Sequence, residues 1–179
     1  MNKNPWELPA KSLSDYFCVK ASRGREFVVR LPDGADPIEA IQKFAADNKI
    51  RFGKVHAAYM GAFRPARYLA WTPDTRNPEN WHNESEAEVA NLTMLLSCAG
   101  MIGIRKNYQG QEESFVALHF VSGGAWDAPT FGGHLFEGTR IAGVMAFFVT
   151  EITGIDVIPP TMEEGKDPEV FPENWYQEV

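Results

Sequence analysis

Apolar residues in this chain recur with two different periods, and the period identifies the elements. Alternation by two, or short unbroken apolar runs closed by Gly, Pro or Asn, predicts strands. Such segments lie at Leu13–Lys20, Arg25–Leu31, Phe52–Phe63 with breaks at Gly53 and Gly61, Ala66–Trp71, Glu86–Ile104 as one or two strands, Phe115–Val121, a segment resuming at Gly132, Ile141–Thr150, and Ile155–Ile158. Only Ile38, Ile41, Phe44 and Ala45 repeat at helical spacing, with Glu39, Gln42, Lys43 and Asp47 between them. Asp36-Pro37 opens that helix, because a short acceptor caps free amides and proline suits the first helical position. It should end near Asn48 and pack on the sheet. Pro32-Asp33-Gly34 and Asn107–Gln111 predict turns, and residues 72–84, rich in Pro and Asn, a long loop.

Phe115–Arg140 concentrates the chemistry. Phe115, Ala117, His119 and Val121 fall on one face of a strand and Val116, Leu118 and Phe120 on the other. With both faces apolar, the expectation is a central strand covered on both sides. Ser122-Gly123-Gly124 closes it, Ala128-Pro129 keeps the connection extended, and Gly132-Gly133-His134-Leu135 resumes. Set as an antiparallel hairpin with Val121 facing Gly132, the count brings His119 opposite His134. Directly opposed Cβ atoms lie roughly 4.5–5.5 Å apart, so the two rings would share a face. Gly132 and Gly133 would let another backbone, or a ligand, come close. The sharp reading is a binding site of His119, Gly132, Gly133, His134 and Glu137. The plain one is a pair of hydrogen-bonded histidines at a sheet end or subunit seam. In this register Glu137 projects away from His134. His56 reads as a core or sheet-face residue.

L-H-F-V followed by F-G-G-H-L-F-E-G-T resembles the signature of the plants-and-prokaryotes conserved (PPC) domain, a strand with a histidine pair, a short loop, and then G-G-H-L-x-E-G. Gly132, Gly133, His134, Leu135, Glu137 and Gly138 match, and His119 matches the second histidine of the pair. Ala117 stands where the first would be. The resemblance covers residues 23 to 158. It implies an α/β (α+β) fold, a mostly antiparallel sheet flanked by a few helices, assembled as a homotrimer with pockets between subunits. It also implies a regulatory, DNA-associated role exercised through partners. Plant members add an AT-hook. Arg23-Gly24-Arg25 is followed here by Glu26, not proline, and reads as the start of a strand.

Composition narrows these options. At 179 residues one domain is expected, with residues 1–22 as a strap and first strand, 23–160 as the domain, and 161–179 as an acidic, aromatic tail. A net charge of −7 speaks against unaided binding to nucleic-acid phosphates. No apolar run reaches the length of a membrane span, and the N-terminus lacks a signal-peptide core. Cys18 and Cys98 form no metal or redox motif and read as buried thiols of a cytoplasmic protein. No nucleophile elbow, phosphate loop or dinucleotide fingerprint occurs. Two functions therefore stand side by side. One is a homotrimeric binding module without a cofactor. The other is a zinc- or small-ligand-dependent enzyme using His119 and His134, with His56, His82 or Glu137 as the further ligand a catalytic zinc needs.

Overall fold

A computed structural model describes residues 19–57, 61–72, 83–123, 130–157 and 176–178. The strands are β1 (Ser22–Leu31), β2 (Gly53–Ala57), β3 (Ala62–Phe63), β4 (Ala66–Thr72), β5 (Asn83–Val89), β6 (Thr93–Lys106), β7 (Glu112–Gly123), β8 (Phe131–Leu135), β9 (Ile141–Ala142), β10 (Met145–Thr153), β11 (Ile155–Val157) and β12 (Tyr176–Glu178), with a single helix, α1 (Pro37–Asp47), among the described residues. One antiparallel sheet runs β1-β10-β2-β6-β7-β8-β4-β5, with the short β3 and β9 attached beside β6. The architecture is the mostly antiparallel sheet expected, with one helix in place of a few. The predicted strand at Leu13–Lys20 and the predicted 72–84 loop, with His82, lie largely outside the described residues; the described ends of that loop, Thr72 and residues 83–84, belong to β4 and β5.

The helix begins where its cap predicts. One carboxylate oxygen of Asp36 accepts from the amides of Ile38 and Glu39. The other accepts from the Gly138 amide at 2.7 Å and from Arg140 at 2.9 Å. A single buried side chain thus starts α1 and fastens it to the turn after β8. The apolar stripe of α1, Ile38, Ile41 and Ala45, packs into one core with Val116, Leu118 and Phe120 of β7 and with Phe147 and Val149 of β10. Phe44 meets Phe27 edge-on at 5.1 Å.

The helix covers one face of the sheet only. The expected two-sided burial of β7 is corrected by the structure. Val116, Leu118, Phe120 and Ser122 are buried on the helix side, whereas His119 and Val121 of the opposite face are exposed and Ala117 is partly so. No element among the described residues lies over that opposite face at His119. The single break between Glu86 and Ile104 separates β5 from β6, and the bulge in β6 falls between Leu95 and Ser97. Gly100 lets β6 and β7 approach closely, because a Cβ there would fall on the Ala117 carbonyl oxygen across the pair. Beyond the main sheet, β11 pairs with β12, so the chain's last residues return to the body of the domain. Its aromatic residues Phe171 and Trp175 lie outside the described residues.

Candidate functional site

The hairpin register obtained by counting is the register of the fold: Val121 pairs with Gly132 and His119 with His134. The two rings stand edge to face, with centroids 5.0 Å apart, and His134 Nδ1 lies 3.0 Å from His119 Nε2. One N–H between two nitrogens satisfies this contact, so one ring donates and the other accepts. The pKa of His134 falls below the ordinary imidazole value because burial disfavours its cation, and the neighbouring His119 pushes the same way. His119 is exposed and His134 half-buried. The pair can therefore hold a single proton between its rings and offer the outer ring atoms to a ligand.

Following the register outward from this pair gives a row that crosses all eight strands of the sheet path. Val28 pairs with Phe148 and Phe148 with His56. His56 pairs with Ala99, and Ala99 with His119. From His134 the row continues to Leu69 and then Glu86. Directly paired residues point to the same side of a sheet, so His56, His119 and His134, three of the chain's four histidines, share the open face. His56 is exposed, with its ring tilted against Phe148 at a centroid distance of 5.2 Å. The sequence offered it as a core or sheet-face residue; it belongs to the sheet face. Two strands separate its strand from that of His134, a spacing of about 10 Å from His119. Nothing local in the sequence signals this alignment, since it depends on β2 and β7 both lying beside β6.

The paired glycines serve backbone approach. A Cβ at Gly132 would fall on the Phe120 carbonyl oxygen, and one at Gly133 on the Leu69 carbonyl oxygen. Each glycine thus lets β8 close against a neighbour, β7 on one side and β4 on the other. Glu137 is not brought to the histidines. It lines an open cleft on the helix side with Lys43, Arg51 and Glu112, and its backbone carbonyl accepts from Arg67 at 3.0 Å. Among the described residues no three His, Cys, Asp or Glu side chains converge as a metal-holding group. Cys98 is buried in the core and its thiol is pushed up to about 12 by burial, so it is no nucleophile.

An antiparallel sheet with a helix on one side and a histidine-bearing open face on the other defines a class of small α+β domain. The chain belongs to the Plants and Prokaryotes Conserved (PCC) domain family, whose model matches residues 19–153. Among solved structures, the chain is similar to a plant- and prokaryote-conserved (PPC) protein of Pyrococcus horikoshii, with 19% identity over 84% of this chain and 92% of that one and a TM-score of 0.62. It is also similar to a metal-containing protein of Archaeoglobus fulgidus, with 21% identity over 82% and 90% of the two chains and a TM-score of 0.61. A third, from Bacteroides thetaiotaomicron and provisionally named as DNA-binding, shares 17% identity over 73% and 82%, with a TM-score of 0.52. At these identities the likeness is one of fold. A comparison with curated proteins finds no match.

Proposed function

We propose that this chain is a self-associating binding module: a homotrimer whose subunits cover one another's open sheet faces and hold small ligands or protein partners at the His119–His134 pair between them. One observation carries the reading. The face that bears the histidines also exposes Val28 (63%), Phe148 (43%) and Val121 (40%) to water, and large apolar side chains grouped on one face mark a surface meant for contact. Gly132 and Gly133 shape the floor beside the pair, so they line the pocket through their backbone. A role at DNA would run through partners, because a net charge of −7 repels phosphate; the provisional name of the Bacteroides protein supports the association and no more. Cys98 as a buried free thiol accords with a cytoplasmic setting. Sedimentation equilibrium of the full chain tests the reading, with a mass of three chains expected and a mass of one chain overturning it.

The metal-containing Archaeoglobus protein gives the zinc reading its one support. Imidazole nitrogens suit zinc, but the count does not. A catalytic site takes three protein ligands and a water, whereas the described residues bring two nitrogens together, with Glu137 across the sheet and His56 two strands away. No reaction step is therefore derived through a metal. Stoichiometric zinc in untagged protein, lost on His119→Ala, would favour the enzyme over the module.

A further inference from the structure

The open face is asymmetric in charge. Across β1 and β2 it presents Arg23, Arg30 and Lys54 against the single carboxylate of Glu26, which Arg23 contacts. Register places them. Arg30 stands two residues beyond Val28 on β1, and Lys54 two before His56 on β2, so both share the side of the histidine row. At the opposite flank β5 presents Glu86 and Glu88. Arg67 of β4 lies 3.6 and 3.5 Å from their carboxylates. Glu84 joins the same side by its pairing with Trp71. Between the flanks lie the apolar and histidine positions. β1 and β5 are the two ends of the sheet path, and β2, which carries Lys54, lies two strands in from β1.

Three copies arranged with their open faces towards a common axis, and their strands running along it, set the β5 flank of each beside the β1 flank of the next. Such a head-to-tail contact closes into a ring when its rotation is a third of a turn. We propose that the acidic β5 flank, Glu86 and Glu88, of one copy lies against the basic flank, Arg30 and Lys54, of the next, and that this charge pairing sets the direction in which copies join. The inference rests on the homotrimer reading and adds the contact that orders it. Charges at the rim of an interface act chiefly through steering and the exclusion of wrong arrangements, because juxtaposed like charges cost several kcal/mol. The sequence carries both halves: R-E-F-V-V-R in β1 and N-E-S-E-A-E-V in β5.

Charge reversal with rescue tests it, on the full chain, by sedimentation velocity across protein concentration at low and high salt. Circular dichroism confirms that each variant is folded. The Glu86→Lys/Glu88→Lys variant and the Arg30→Glu/Lys54→Glu variant should each weaken assembly by about tenfold or more at low salt. The chain carrying all four changes restores opposite charge at every junction and should assemble as the parent does. A trimer indifferent to either reversal, or one that the fourfold variant fails to restore, overturns this contact and leaves the homotrimer standing. A parent chain whose mass is not that of three copies removes the homotrimer reading and this inference with it.

Discussion

Asp36 and His134 show how much one residue settles. The Asp36 carboxylate accepts from two helix amides through one oxygen, and from the Gly138 amide and Arg140 through the other. An amide side chain would keep the first set and turn an N–H towards the second, donor against donor. Asp36→Asn should therefore lose about 2–3 kcal/mol, the cost of leaving buried donors unpaired, read as a lower urea midpoint. Lys43, in an exposed i,i+4 pair with Asp47, should change that midpoint by less than about 0.5 kcal/mol on mutation to alanine. His134 acts through pH. Its folded pKa lies below the ordinary 6.5, through burial first and His119 second. The unfolded chain then binds more protons as acid is added, so the stability from this residue is complete above about pH 6.5 and lost as pH falls through the lower, folded value. Urea midpoints from pH 7.5 to 5.5 should fall in the parent and fall less steeply in His134→Asn; parallel slopes would contradict it.

At the scale of elements, the β7–β8 hairpin depends on a position where no side chain fits. Gly132→Ala places a Cβ on the Phe120 carbonyl oxygen, a backbone atom that cannot turn aside. The hairpin must open or shift, at about 1–3 kcal/mol, visible as a lower melting temperature. Gly123→Ala on the same strand pair meets only the flexible Leu96 side chain at 3.4 Å and should be nearly neutral. This hairpin was legible beforehand because its register follows from local counting: Val121 to Gly132 fixes His119 to His134. The helix was legible for the same reason, from Asp36-Pro37 to Asn48. What could not be read was which face of β7 lies under the helix. Alternation assigns Val116 and Val121 to opposite sides, but both are apolar, and burial belongs to the partner each side meets. His56 was obscured in the same way. Its alignment with His119 runs through Ala99, and no local pattern orders strands so distant in sequence.

At the scale of the whole molecule, the described residues leave a sheet half covered. The helix-side core is closed around residues such as Phe63, Leu118 and Phe147, all fully buried, while Val28, Phe148 and Val121 remain in water on the other side. A lone chain leaves a large part of those three in water; copies that cover them gain the rest of that burial, at most roughly 1.5–3 kcal/mol for each. Assembly of the native state alone then couples folding to concentration by mass action, since unfolded chains do not form the contact. The melting temperature of the parent chain should accordingly rise across a hundredfold increase in concentration. Phe148→Ser should abolish most of that rise, and should also lower the low-concentration value, because more than half of the side chain is buried and its ring lies against His56 within the chain. Equal melting temperatures for the parent at both ends of the range would mean that the open face is stable as a surface in water, and that the histidine row serves a single chain.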